Sequence, residues 1–166
     1  MSWPEFSATG LLRTLAQHGV DFVVVGGIAM VVHGSTRTTH DLDICLAPGQ
    51  ANLDALGAAL IELGATLRDL EHPVPFVPDG ATLRRLSIVT LHTRDGPLDL
   101  LRDPEGAPPY EQLRRRAERI ELDGFTVLVA ALDDLESMKR ATDRTKDKLD
   151  LEEIQAIRRL RLRVAR

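Results

Sequence analysis

Asp41 and Asp43, separated by one residue, are the first side chains whose types and spacing can do chemistry. They lie in His40-Asp-Leu-Asp-Ile-Cys-Leu46, which alternates polar and apolar as a strand with one wet face does. Strand geometry puts both carboxylates on one face and Leu42 and Ile44 on the other. Like charges held that close repel unless a cation sits between them. Hard divalent ions such as Mg²⁺ take oxygen ligands and usually keep waters or take substrate phosphates. Upstream, Val25-Gly26-Gly27 stands where a strand gives way to a helix. Glycine there allows close backbone approach, and N–H groups at a helix start can hold phosphate oxygens. One corner thus offers a phosphate cradle, and the next strand offers an acid pair.

The elements that must position these residues follow from periodicity. Residues 7–18 read as a helix stopped by Gly19, and Asp21 to Val25 as a buried β-branched strand. Ile28 to His33 reads as a two-turn helix, residues 40–46 as the acid-bearing strand, and residues 50–63 as an amphipathic helix ended by Gly64. A strand is expected over 65–70 and a proline-rich loop over 72–80. Strands over 83–93 and 97–101 flank Arg94-Asp95-Gly96, a strong hairpin cue. Asp103 to Pro109 is the expected lobe boundary. Beyond it come a helix over 110–118, a hairpin over 120–129 around Asp123-Gly124, and helices over 132–141 and 147–162. The order implies an α/β or α+β domain with a mixed sheet and a helical C-terminal part.

The composition fits one domain with a real core. There are 166 residues, 43% of them hydrophobic and 28% charged, and the net charge is -4. The single cysteine, Cys45, leaves no internal disulfide and fits a reducing compartment. No basic, apolar leader opens the chain, and no stretch approaches the ~20 apolar residues of a membrane helix. A cytoplasmic, soluble protein is expected. Charge is uneven: residues 1–102 balance to -4, residues 103–166 to zero, and residues 154–166 hold five arginines and no acid.

Val25-Gly26-Gly27, thirteen residues, then Asp41-Leu42-Asp43-Ile44 resembles the nucleotidyltransferase motif of the DNA polymerase β superfamily. Asp99, in Pro97-Leu-Asp-Leu-Leu101, matches the family's third acid. The fuller string from Gly26 through His33-Gly34 and Arg37-Thr-Thr-His40 to Asp43 resembles the small bacterial subfamily that includes type IV toxin–antitoxin (abortive-infection) toxins. Leu135 to Lys139-Arg140-Ala, followed by Arg144-Thr-Lys146-Asp147, resembles that subfamily's downstream motif.

The resemblance implies a nucleotidyltransferase fold spanning residues 1–166, with its core over about 7–102 and a C-terminal part over about 110–166. It implies transfer of a nucleoside monophosphate from an NTP such as ATP to an acceptor hydroxyl, with pyrophosphate leaving. Asp41, Asp43 and Asp99 would hold two Mg²⁺ ions, with Asp99 nearest the acceptor. Lys139 would bind the triphosphate, beside the Gly26-Gly27 cradle, and Ser35 and Arg37 would reach phosphate or acceptor. Asp147 and Asp150 compete for one further acidic role. The toxin-like strings favour RNA, tRNA among the candidates, as acceptor, and leave open whether a cognate antitoxin partner exists. The alternatives are modification of a small hydroxylated antibiotic and a catalytically silent binding module. Asp-Gly-Gly-Trp strings typical of some antibiotic-modifying relatives are absent, and the intact acids argue against a silent copy.

Several residues have plainer readings. Cys45 reads as a core residue rather than a nucleophile, a small side chain that strand parity puts near the acids, and the five histidines show no zinc-site spacing. Arg114-Arg115-Arg116 reads as a solvated helix face. In the last helix, Ile154, Ile157, Leu160 and Val164 form the expected apolar stripe. Arg158, Arg159, Arg161, Arg163 and Arg166 would remain to meet phosphate or to complement the helix dipole.

Overall fold

The computed structural model describes residues 5–68, 71, 76 and 78–166, so most of the loop expected over 72–80 lies outside the described residues. In chain order the elements are α1 (Ala8–Gln17), β1 (Phe22–Val25), α2 (Gly26–Val32), β2 (Leu42–Leu46), α3 (Gln50–Glu62), β3 (Thr66–Leu67) and α4 (Gly80–Arg84). They continue with β4 (Ile88–Thr93), β5 (Gly96–Leu101), α5 (Tyr110–Arg116), β6 (Glu118–Leu122), β7 (Phe125–Val129), α6 (Leu132–Thr142) and α7 (Thr145–Val164).

The strands form one mixed sheet in the order β3-β4-β5-β2-β1-β7-β6. β1 is buried along its whole length, because it lies between β2 and β7 and carries only Phe and Val. Its neighbours run in opposite senses: β2 is antiparallel to it and β7 parallel. β5 lies parallel to β2, and its register sets Asp43 directly opposite Asp99. The core gathers Leu11 and Leu15 of α1, the β1 valines, Leu42 and Ile44 of β2, Leu53, Leu56 and Leu60 of α3, and Leu98 and Leu100 of β5. No helix among the described residues is long and apolar enough to cross a membrane.

Three boundaries differ from the sequence expectation. The strand expected from Leu83 begins at Ile88. Asp79 accepts a hydrogen bond from the Thr82 backbone N–H at 2.7 Å and caps α4, so Leu83 is buried in a short helix instead. α2 starts at Gly26 rather than Ile28, which brings both glycines into its first turn. The apolar stripe of α7 ends early: Ile154 and Ile157 are buried, but Leu160 is 60% and Val164 88% exposed.

Candidate active site

The acidic corner is built by neighbouring strands. Asp41 immediately precedes β2, Asp43 lies within it, and Asp99 sits opposite Asp43 on β5. One carboxylate oxygen from each lies within 4.8 Å of the other two. Gly26 abuts this group at a backbone φ of +65°, where a side chain is strained, and a Cβ there would collide with Asp43 Oδ2. Gly27 does the same for the loop before β2, since its Cβ would fall 2.6 Å from Thr39 Oγ1. That hydroxyl lies 3.2 Å from Asp41 Oδ1 and 3.4 Å from the Asp41 carbonyl oxygen. The two glycines thus let the α2 turn sit directly against the acids.

Electrostatics mark the same corner. Burial, then the charges of Asp41 and Asp99, push the Asp43 carboxyl up to about 7 from the ordinary 3.8. Burial also raises Asp99, against the guanidinium of Arg68, whose Nη2 lies 2.5 Å from Asp99 Oδ1. Three carboxylates grouped in this way could hold a cation, and hard oxygen donors suit a divalent one.

A second, cationic corner comes from the C-terminal helices. Lys139 of α6 lies 2.8 Å from Asp150 Oδ2 and 3.4 Å from Asp147 Oδ1, and Arg37 pairs with the other Asp150 oxygen. Lys139 is close enough to Asp43 to lower its pKa, so the two corners are in electrostatic contact. The structure separates the two competing acids. Asp147 is fully buried and accepts from Thr142 Oγ1 at 2.7 Å and from Arg144 N and Nε at 3.0 Å each. Burial alone would raise its carboxyl, but those bonds outweigh it and hold it well below the ordinary range. Asp147 is a helix-start anchor, whereas Asp150 faces Arg37 and the cavity.

That cavity, about 330 Å³, is lined by Gly27, Ser35, Arg37, Thr39, Asp41 and Asp150 among others, with Arg68 and Lys146 adding positive charge. Of the residues expected at the site, Gly27, Ser35, Arg37 and Asp41 line it. Gly26, Asp43, Asp99 and Lys139 do not line it: Asp43 and Asp99 group with Asp41, Gly26 packs against Asp43, and Lys139 pairs with Asp150. No local pattern pointed to Arg68, which lies 31 residues from Asp99 in the chain. Asp150 had a faint sign, being three residues from Asp147 and so on the same helix face.

Other readings change. Arg116 pairs with Asp134 at 2.8 Å and Arg114 with Asp21 at 3.5 Å, so the arginine triplet is only partly a solvated face. Arg158 pairs with Asp133 and, at 2.5 Å, with Glu136. Arg161 donates to His33 Nδ1 at 2.9 Å, which leaves His33 Nε2 to donate to the Ala130 carbonyl at 2.8 Å. Cys45 is buried in the core, and burial pushes its thiol up to about 11.

The chain has the nucleotidyltransferase fold: a mixed sheet flanked by helices, with a long C-terminal helix. No protein-family model matches the chain, and no curated protein matches it. Solved structures do. The lincosamide antibiotic adenylyltransferase LnuA, lincomycin-bound, superposes with TM-score 0.62 at 14% identity, over 92% of this chain and 99% of that one. A nucleotidyltransferase-like protein from Paracoccidioides brasiliensis gives TM-score 0.58 at 16% identity, over 91% of this chain and 73% of its own. ANT(2")-Ia in complex with adenylyl-2"-tobramycin gives 0.53 at 15%, over 92% and 91%.

Proposed function

We propose that the chain is a metal-dependent, cytoplasmic nucleotidyltransferase that moves a nucleoside monophosphate from an NTP to an acceptor hydroxyl. The observation that carries this reading is the convergence of Asp41, Asp43 and Asp99 within 4.8 Å. Their hard oxygen donors fit Mg²⁺, and the burial and neighbouring Asp41 and Asp99 charges that raise Asp43 are a load that a bound cation would offset. When bound, one or two such ions would neutralise the triphosphate and acidify the attacking hydroxyl.

The rest is assigned to the chain's own side chains. Asp99 accepts the acceptor's hydroxyl proton as the new O–P bond forms and the bond to pyrophosphate breaks. Ser35 and Arg37, on the cavity wall, bind triphosphate oxygens. Lys139 supports them through its ion pair with Asp150. The Gly26-Gly27 backbone admits a phosphate close to Asp43.

For the acceptor, we assign a small hydroxylated molecule ahead of RNA, and ATP as the donor. The support is that LnuA, a lincosamide antibiotic adenylyltransferase, and ANT(2")-Ia, seen in complex with adenylyl-2"-tobramycin, are both matched over nearly their whole length. In addition, Arg158 and Arg161 are already engaged inside the molecule. The second reading, RNA or tRNA transfer held in check by an antitoxin, draws on Arg159, Arg163 and Arg166, which remain exposed. The test is to incubate the chain and Mg²⁺ with each α-labelled NTP and, separately, a lincosamide, an aminoglycoside and total RNA. Label on an antibiotic, lost in Asp43→Asn, is expected. Label on RNA alone reverses the order of the two readings, and no label on any acceptor leaves the silent binding module.

A further inference from the structure

Arg68 is the one residue whose placement the proposed chemistry does not explain. Its backbone N–H donates to the Thr90 carbonyl at 3.0 Å, extending the β3–β4 ladder by one residue. Thr90 is opposite Asp99, and Asp99 is opposite Asp43. Arg68, Thr90, Asp99 and Asp43 therefore form one row across four strands, and residues in such a row share a face of the sheet. Neighbouring strands are about 4.8 Å apart, so a guanidinium reaching from β3 to β5 must cross Thr90. Thr90 is short enough to be crossed. Arg68 Nη2 ends 2.5 Å from Asp99 Oδ1, with both side chains only 17% exposed. Arg68 also lines the cavity.

We propose that Arg68 is a built-in competitor of the divalent cation: it neutralises Asp99 and must yield part of that carboxylate for the ion to bind. This rests on the metal reading of the acid site. A guanidinium and a divalent ion on one carboxylate repel each other, and in a half-buried setting that repulsion is only weakly screened. The arrangement sets the metal affinity below what three free carboxylates would give. It couples ion arrival to movement of a cationic side chain that the cavity already exposes to an incoming triphosphate. Arg68 acts through Asp99 and is a positioning residue. The opposite role is equally concrete: an arginine that merely orients Asp99 would strengthen metal binding, as outer-shell partners of metal ligands do.

The two roles predict opposite signs. Mn²⁺ binding to the full chain, without nucleotide, is measured by titration calorimetry for wild type, Arg68→Gln, Arg68→Lys and Asp43→Asn, with circular dichroism to check folding. Competition predicts that Arg68→Gln binds Mn²⁺ about three- to tenfold more tightly, while Arg68→Lys, which keeps a cation, stays within about twofold of wild type. It also predicts that Arg68→Gln melts lower than wild type in EDTA and that saturating Mn²⁺ closes the gap. Unchanged or weaker Mn²⁺ binding by folded Arg68→Gln overturns the proposal and leaves the metal site standing. Wild type that binds Mn²⁺ no better than Asp43→Asn overturns the metal reading and this proposal with it.

Discussion

The acidic and the cationic corners are in electrostatic contact and differ in how their charges are paired. In the acidic corner, Asp41, Asp43 and Asp99 crowd together with Arg68 on one edge, and the Asp43 carboxyl rises to about 7. In the cationic corner every principal charge has a partner. Lys139 lies between Asp147 and Asp150, Arg37 meets Asp150, and Asp147 also takes bonds from Thr142 and Arg144. The first corner concentrates like charge, whereas the second ties α6 to α7. Removing a side chain should therefore act on chemistry in one corner and on stability in the other.

The largest effect expected is on transfer. Asp43→Asn should lower the transfer rate by about a thousandfold or more, the scale on which a lost charge-stabilising group acts, with the fold kept. A labelled-nucleotide assay beside a melting curve checks both halves, and a rate within tenfold of wild type would break the comparison. Asp147→Ala should do the reverse, costing about 3 kcal/mol because it strips a buried cation of a partner and an α7 cap. Urea unfolding measures this, with Asp150→Asn expected to lose only about 1 kcal/mol, since Asp150 borders the cavity. Equal losses in the two variants would undo the division between anchor and cavity acid.

Gly26→Ala sharpens the contrast inside the acidic corner. The strained φ and the clash with Asp43 should cost about 2 kcal/mol, read as a fall in melting temperature. A subtler signature is pH dependence. Asp43 in the folded chain titrates near 7, above its unfolded value of 3.8. Its contribution to stability is therefore fully present below about 3.8 and is lost as pH rises through about 7. In EDTA, Asp43→Asn should thus gain on wild type by on the order of 2 kcal/mol between pH 4 and pH 7, and level off above. A constant difference across that range would mean that Asp43 does not carry the like-charge load. The smallest effect belongs to α7: Arg158→Gln should cost about 0.5 kcal/mol, the scale of a partly exposed ion pair. Arg159→Gln should cost almost nothing.

The acidic corner was largely legible because its information is local. Alternation over residues 40–46 set the parity of Asp41 and Asp43, and the Asp95-Gly96 turn set the hairpin that carries Asp99. α4 was missed because its signal, Asp79 at the cap, sits at the end of a proline-rich loop, and Leu83 suits a strand as well as a helix. Asp147 and Asp150 could not be told apart, since one helix turn presents both on the same face. Only burial against Thr142 and the chain start of α7 made Asp147 the anchor.

The sequence alone determined the order of the helices and strands other than α4, the strand-to-helix glycines and the face on which two carboxylates stand. Each depends on residues a few positions apart, where the backbone's periods of 3.6 and 2 act directly. The tertiary structure decided which charges meet: Asp99 with Arg68, Arg37 with Asp150 across 113 residues, and Arg161 with His33 across 128. Those pairings follow from how the sheet orders its strands and where α7 docks. Their strength depends on how far water is excluded, which is further for Arg68 and Asp99 at 17% exposure each than on the Arg37 side at 41%, and no short-range pattern records that difference.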